Sequence, residues 1–184
     1  MANVVAASGT ALTPEQVKLL KRYSNKVTMA FDADSAGQNA AKRGIDIAMQ
    51  EGMNIKVIKI PDGAGKDADE CLKKNPTVWF DAVQEAVSVM DWHFKNVLFG
   101  TNLSDPRQKQ QVADALLNEI QKIPYPVEKD SWTKKLADML NVDLSVLAET
   151  VRKKQKNPTR ASEIVRIKPQ IKAHADRFYL LINQ

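Results

Sequence analysis

The chain has 184 residues, of which 43% are hydrophobic, and a formal net charge of +5 at pH 7. This composition is typical of a globular protein, and the length allows one large domain or two small ones. No apolar run approaches the roughly 18 residues that a membrane span needs, and the first residues lack the basic segment of a signal peptide. A single cysteine excludes an internal disulfide, and together with two histidines it is too few for a Cys/His zinc site. We therefore expect no zinc site and a cytoplasmic location.

The first part of the chain alternates short strands with helices. The apolar and β-branched runs predict strands, while the Thr13-Pro14 pair with Gln16, and Gly52, mark a helix start and a helix stop. The order is a strand at Val4–Ala7, a helix from Pro14, a strand at Val27–Phe31, a helix from Ser35 to Gln50, a strand at Ile55–Ile60, and short helices from Asp67 and Pro76. Such alternation is typical of an α/β fold with a mostly parallel sheet.

From about Val87 onward the periodicity of apolar residues is only helical. It predicts helices over residues 88–99, 105–122, 128–140 and 143–156, and no further strand before the end of the chain. The pattern therefore changes from α/β to all-α near residue 87.

Two Asp-x-Asp pairs follow consecutive predicted strands. Asp32 and Asp34 come directly after one strand, and Asp67 and Asp69 come just past the next. Ligands gather outside the carboxyl ends of strands in open α/β sheets, and oxygen-only ligands select Mg²⁺ or Mn²⁺. The four carboxylates thus predict a divalent-metal site that acts on phosphates. Helix caps or turns are the alternative for each pair, and a haloacid-dehalogenase-like phosphatase is disfavoured because Ala36 stands where a Thr is usual.

The positive charge is concentrated in the second half of the chain. Residues 1–100 contain 12 basic and 12 acidic side chains, whereas residues 152–172 contain eight basic side chains and one acidic one. This pattern predicts nucleic-acid contacts, with a solvated linker as an equally weighted alternative. The candidate residues are Arg152, Lys153, Lys154 and Lys156.

Three blocks of the sequence resemble the Toprim domain of bacterial DnaG-type DNA primases. They are the run from Ala7 to Tyr23 with its Ser-Gly-Thr motif, the run Phe31–Gly37, and the run Ile60–Glu70. The resemblance covers about residues 4–75. It implies an incomplete, mostly parallel Toprim-like α/β sheet over residues 1–86, an all-α helical subdomain of the polymerase core over 87–156, and a basic linker with the start of a helicase-binding domain over 157–184.

The resemblance also implies roles for individual residues. Asp32, Asp34, Asp67 and Asp69 match the catalytic, metal-binding acidic positions of the family, and Lys66 is a candidate contact to a nucleotide phosphate. Ala68 stands where the family usually has Pro. The family site further needs a Glu on a strand before Val4. We therefore expect this chain to make no primers alone, and an open strand edge along Val4–Ala7 or Val27–Phe31 to promote self-association.

The function implied for the parent protein is synthesis of RNA primers for replication by metal-dependent nucleotidyl transfer. The expected partners are a single-stranded DNA template, nucleoside triphosphates and, through the region beyond Gln184, a replicative helicase; no membrane partner is expected. Residues 176–181 resemble the apolar helix that opens the helicase-binding domain. The alternatives are another Toprim protein, such as a phage primase-helicase, a topoisomerase or a nuclease, and a non-catalytic module that binds DNA or helicase.

Overall fold

The computed structural model describes residues 3–7, 12–30, 35–156 and 178–183. The chain divides into two compact units, the first made of Met1–Val89 with Gln170–Gln184 and the second of Met90–Pro169. Among the helices in the described ranges, none is long and apolar enough to cross a membrane.

The described part of the first unit contains short strands and helices in the predicted order. The elements are β1 (Val4–Ala7), α1 (Pro14–Lys21), β2 (Lys26–Ala30), α2 (Ser35–Gln50), β3 (Asn54–Ile58), α3 (Ala68–Lys74), α4 (Pro76–Gln84), β4 (Val87–Ser88) and, from the far end of the chain, β5 (Phe178–Asn183). The Thr13 side chain accepts from the backbone N–H of Gln16, whose own side chain accepts from Thr13, so the predicted capping box is formed. Gly52 ends α2 with a φ of +74°.

The five strands of the described residues form one mixed sheet in the order β1-β5-β2-β3-β4. β2 and β3 pair in parallel, with Val27 opposite Ile55. β5 is antiparallel to both β1 and β2, so β1, β2 and β3 all run in the same direction. The predicted α/β class is therefore confirmed, and the sheet is mixed, with β4 and β5 as the two strands that run opposite to β1, β2 and β3.

The prediction of a helix at residues 176–181 is wrong for the residues that the structure describes there, because Phe178–Asn183 form strand β5. Phe, Tyr and Ile favour strands, and the segment has a partner on either side. Val5 pairs with Leu180, and Thr28 pairs with Leu181, so β5 satisfies backbone groups of both neighbours. Of the two segments expected to form an open strand edge, β2 has a neighbour on both sides, β5 and β3, whereas β1 (Val4–Ala7) is the terminal strand of the described sheet and pairs with β5 alone.

A small apolar cluster lies where β2 and β3 end. Ala30 is the last residue of β2 and Ile58 the last of β3, and both are buried in one cluster with Ala68 and Cys71 of α3. Trp79 and Ala82 of α4 complete this cluster. The burial of Ala68 and Cys71 therefore holds the first turn of α3 beside the carboxyl ends of two parallel strands.

The second unit is helical throughout its described residues. Its helices are α5 (Val89–Leu98), α6 (Pro106–Gln121), α7 (Pro126–Leu140) and α8 (Leu144–Lys156). The core is formed by apolar side chains from α6, α7 and α8, including Leu116, Ile120, Leu136, Leu140 and Leu147, each at most 1% exposed. All four helices occur close to where the periodicity of the sequence predicts them.

Candidate functional site

The candidate site is carried by the loop that follows β3 and by the first turn of α3. The loop turns at Pro61, whose carbonyl accepts from Ala64 N. Gly65 then approaches α3 closely: a Cβ on this residue would lie 2.6 Å from Cys71 N and 3.0 Å from Cys71 Cα. Only a residue without a side chain fits there, so the loop lies directly against the start of the helix.

Asp67 is the N-cap of α3. Its Oδ1 accepts from Glu70 N at 2.7 Å, and its carbonyl accepts from Cys71 N at 3.0 Å. The helix-cap alternative therefore holds for one oxygen of this carboxylate. A carboxylate has about four lone-pair sites, so capping leaves Asp67 able to bind a cation through Oδ2.

Asp69 lies two residues further along, in the first turn of α3. Its Oδ2 pairs with Lys73 Nζ at 2.7 Å, and both side chains are substantially exposed, at 44% and 75%. Such exposed i,i+4 pairs contribute only about 0.3–0.5 kcal/mol. A divalent cation can therefore displace Lys73 from Asp69 at little cost.

Lys66 and Glu70 tie the loop to the helix. Lys66 N donates to Glu70 Oε2 at 3.1 Å, and Lys74 Nζ lies 2.9 Å from Glu70 Oε1. The bond from Lys74, followed by the bond from Lys66 N, lowers the pKa of Glu70 from its ordinary value. Glu70 was not among the site residues predicted from the sequence, although the Asp-x-x-Glu spacing from Asp67 to Glu70 is a capping-box signal. The Lys66 side chain itself is exposed.

The first predicted pair, Asp32 and Asp34, lies outside the described residues. The chain enters that segment directly from Ala30, which is buried in one cluster with Ala68. Within the described ranges, no group of three or more His, Cys, Asp or Glu side chains is arranged to hold a metal ion. Asp67 and Asp69 carry carboxylate oxygens, the type of ligand that Mg²⁺ and Mn²⁺ prefer, so their chemistry fits such an ion as part of a larger set.

Cys71, the one cysteine of the sequence, has a structural position. It is fully buried in the cluster beneath α3, and this burial raises the pKa of its thiol. A thiol in such surroundings is a poor nucleophile.

The basic residues predicted to contact nucleic acid have different environments. Lys154 is three-quarters buried, and its Nζ bonds to the carbonyl of Asp114 at 2.8 Å, to the Asp114 carboxylate at 2.9 Å and to Asn118 Oδ1 at 3.1 Å. Lys153 is exposed and pairs with Glu149 at 2.7 Å, and Arg152 is exposed. The side chain of Lys156 lies outside the described part. Lys154 therefore ties α8 to α6, while Arg152 and Lys153 face solvent.

Two family models match the chain. The Toprim-like family matches residues 1–72, and the DnaB-helicase binding domain of primase matches residues 90–145. The second match lies in the helical unit, whereas helicase binding was predicted for the region beyond Gln184.

The curated proteins that match most of the chain include bacterial DNA primases. The chain is 39% identical over 167 residues to the DNA primase of Clostridium acetobutylicum, which covers 84% of the chain and 28% of that protein. It is 32% identical over 149 residues to the DNA primase of Halalkalibacterium halodurans (80% of the chain, 24% of that protein). It is 34% identical over 146 residues to that of Synechococcus elongatus (76% of the chain, 21% of that protein).

Solved structures show the same fold. A DNA primase domain from Pseudomonas aeruginosa superposes with a TM-score of 0.65 at 19% identity, over 77% of this chain and 45% of that chain. The zinc-binding and RNA-polymerase domains of the Aquifex aeolicus primase give a TM-score of 0.61 at 20% identity, over 76% of this chain and 32% of that chain.

The mixed sheet, with two aspartates in the loop and helix that follow its parallel strands, is that of a Toprim-like protein. Two further findings narrow the class of protein to the primases. A primase-specific family model matches the helical unit, and curated DNA primases match 76–84% of the chain. The chain belongs to the bacterial DnaG-type DNA primase family. It spans 28% or less of the length of the three curated relatives described above.

Proposed function

We propose that this chain is part of a DNA primase that synthesises RNA primers on a single-stranded DNA template from nucleoside triphosphates. One structural observation supports a catalytic role for the chain: Ala68 and Cys71 of α3 are buried in one cluster with Ala30 and Ile58, so the helix start that carries Asp67 and Asp69 lies beside the last residues of β2 and β3. Ligand sites of open α/β sheets form at these ends. A cytoplasmic location fits a chain with one buried cysteine.

In the proposed site, Asp67 and Asp69 bind Mg²⁺ or Mn²⁺ together with Asp32 and Asp34. When bound, such ions neutralise charge on the triphosphate and stabilise in-line displacement at phosphorus. Asp67 is oriented by its cap bond from Glu70 N, so little side-chain freedom is lost when it binds a cation. Asp69 exchanges its contact with Lys73 for the cation. The exposed ammonium of Lys66, next to Asp67, is available to contact a nucleotide phosphate.

A chimera tests the proposed activity. The segment of the Clostridium acetobutylicum primase that is 39% identical to this chain is replaced by the corresponding residues of this chain, and primer synthesis on single-stranded DNA is measured with Mg²⁺. The chimera is expected to make primers, and Asp67→Asn with Asp69→Asn is expected to abolish synthesis. A folded chimera whose synthesis survives the double substitution would contradict the catalytic assignment.

The helicase is proposed as a partner of the second unit. The support is the match of residues 90–145 to the DnaB-helicase binding domain of primase. In a pull-down with a bacterial replicative helicase, the full chain is expected to bind. A chain that ends at Val89 and retains binding would refute the assignment to the second unit.

Single-stranded DNA is proposed to contact Arg152 and Lys153 on the exposed side of α8. Both side chains face solvent, and the sequence that follows adds further positive charge. Lys154 is a weaker candidate because its ammonium is held by Asp114 and Asn118.

The domain boundaries are proposed to lie at residues 86/87 and 156/157. They separate the Toprim part, the helical subdomain and the basic linker.

A further inference from the structure

Glu70 joins the loop of residues 61–67 to α3 through hydrogen bonds of both its side chain and its backbone N–H. Glu70 accepts from Lys66 N through Oε2 at 3.1 Å and contacts Lys74 Nζ through Oε1 at 2.9 Å, while its own N–H donates to Asp67 Oδ1 at 2.7 Å. Glu70 therefore contacts the residue before Asp67, Asp67 itself and the last turn of the same helix.

This arrangement is more extensive than a helix cap requires. In a capping box the N3 side chain reaches back to the N–H of the N-cap residue. Here Glu70 reaches one residue further, to Lys66 N, so it restrains the backbone that leads into Asp67. Lys74 pairs with Glu70 rather than with either aspartate, and it fixes the orientation of the Glu70 carboxylate.

The loop has a second restraint at Gly65, whose backbone lies against Cys71 and Glu70. Ala68 and Cys71 of α3 are buried in one cluster with Ala30 and Ile58 of the sheet, and this burial fixes α3 to the sheet. The helix is thus anchored by its buried side, and the loop is anchored to the helix by Glu70 and Gly65. The direction of the Asp67 carboxylate depends on both anchors.

We propose that Glu70 is a positioning residue for the metal site. It acts through Lys66 N and the Asp67 backbone, and Lys74 supports it. The inference rests on the proposed function, because it assumes that Asp67 and Asp69 bind a divalent cation. Glu70 could instead act only by adding negative charge near the cation. Substitutions that change its charge and its reach separately distinguish this electrostatic role from positioning.

The test uses Mn²⁺ binding by the full 184-residue chain, followed by electron paramagnetic resonance, with two conservative substitutions at one position. Glu70→Asp keeps the charge and loses the reach to Lys66 N, whereas Glu70→Gln loses the charge and keeps an oxygen acceptor of the same reach. Positioning predicts the greater loss for Glu70→Asp, about tenfold in affinity, which is the usual effect of removing a partner of a metal ligand. If charge alone matters, Glu70→Gln binds more weakly than Glu70→Asp, and the inference is overturned.

A second pair of variants removes one positive charge at neighbouring positions. Lys73→Met releases Asp69 and is expected to raise the affinity for Mn²⁺, since it also lowers the local positive charge. Lys74→Met releases Glu70 and is expected to lower the affinity despite the same change in charge. Equal or tighter binding by Lys74→Met compared with Lys73→Met would contradict positioning.

Amide hydrogen exchange gives a readout independent of the metal. The Lys66 N–H is expected to exchange faster in Glu70→Asp than in Glu70→Gln, so that the variant with the faster exchange is also the one that binds Mn²⁺ more weakly. Glu85→Gln, which removes an exposed charge at the end of α4, serves as the control and is expected to leave both measurements unchanged.

The double variant Asp67→Asn with Asp69→Asn distinguishes failure of the metal site from failure of the positioning role. If it leaves Mn²⁺ binding intact, the metal site itself is wrong. If that double variant loses binding while the Glu70 variants match the native chain, only the positioning role is wrong.

Discussion

Gly65 and Gly63 lie in the same loop and give a matched pair of substitutions. Gly65 has a φ of +154°, and a Cβ there would meet Cys71 N at 2.6 Å, Cys71 Cα at 3.0 Å and Glu70 C at 3.1 Å. Gly63 has a φ of +82°, and a Cβ added there would have no atom of the described residues within 4 Å. Both alanine variants therefore meet an unfavourable φ, but only Gly65→Ala also overlaps backbone atoms that belong to α3.

The expected costs differ accordingly. Gly63→Ala should reduce the free energy of unfolding by about 1 kcal/mol, the cost of a positive φ for a residue with a Cβ. Gly65→Ala should reduce it by about 2–4 kcal/mol, because the overlap adds a cost like that of an overpacked core to the backbone strain. A backbone atom cannot swing aside as the end of a side chain can, so the loop must move away from the helix.

Urea denaturation followed by circular dichroism measures both variants, and Mn²⁺ affinity is measured in parallel. Gly65→Ala is expected to lose affinity as well as stability, since the displaced loop carries Lys66 and Asp67. Gly63→Ala is expected to retain the affinity of the native chain. Equal losses of stability and equal affinities in the two variants would refute the close approach of the loop to α3.

Four further predictions concern other parts of the chain. Lys154→Met should lower the free energy of unfolding by about 1.5–3 kcal/mol in urea denaturation, because it leaves Asp114 and Asn118 without the three-quarters buried ammonium that they bind. The exposed Lys153→Met should cost about 0–1 kcal/mol, and similar losses in the two variants would contradict the buried position of Lys154. In single-stranded DNA binding, Arg152→Gln and Lys153→Gln should each reduce the log–log salt slope by about 0.7 if the side chain contacts a phosphate, and an unchanged slope would favour the solvated-linker alternative. The pKa of Asp105, the N-cap of α6, is lowered by bonds from Arg107 N and the Gln108 side chain; its contribution to stability is therefore present above the ordinary Asp pKa and is lost as the pH falls through the lowered value, so Asp105→Asn should flatten stability measured against pH in that acid range. A chain that ends at residue 177 lacks β5 and should self-associate in light scattering through the exposed edges of β1 and β2, and a monodisperse monomer would argue against the pairing of β5.

Local signals in the sequence predicted most helix bounds correctly. The capping box at Thr13 and Gln16, and the glycine at position 52, mark the start of α1 and the end of α2 in both the sequence and the structure. These signals work because the bonds that start or end a helix connect residues only a few positions apart. The four helices of the second unit follow from their apolar periodicity for the same reason.

Contacts between distant parts of the chain could not be predicted in this way. β5 pairs with strands from the opposite end of the chain, as Leu181 does with Thr28 and Val4, and an apolar run such as Phe-Tyr-Leu-Leu-Ile is compatible with a helix or a strand. Lys153 and Lys154 are neighbours of the same type in a basic stretch, yet only Lys154 reaches Asp114. Which of two adjacent lysines faces the protein depends on the packing of α8 on α6.

The pair of Asp67 and Asp69 shows the same difference between local signals and distant contacts. The spacing of Asp67 and Asp69 after a strand predicted their position at the carboxyl ends of the sheet, and the burial of Ala68 between them supports it. The role of Glu70 depends on the path of the loop before Asp67, and the sequence carries it only as an Asp-x-x-Glu spacing that many helix starts share. The sequence therefore indicated residue types that ligate cations, and it did not indicate the residue that we propose orients them.

Asp67 has two proposed roles, as the cap of α3 and as a metal ligand, and two substitutions separate them. Asparagine caps helices about as well as aspartate, so Asp67→Asn keeps an oxygen that accepts from Glu70 N, and its free energy of unfolding should match that of the native chain. Its Mn²⁺ affinity should fall, because a neutral amide replaces a carboxylate at a hard cation. Asp67→Ala removes both roles and should additionally cost about 1 kcal/mol of stability. If Asp67→Asn binds Mn²⁺ as tightly as the native chain, the carboxylate serves only as a cap, and the metal site must be sought without Asp67.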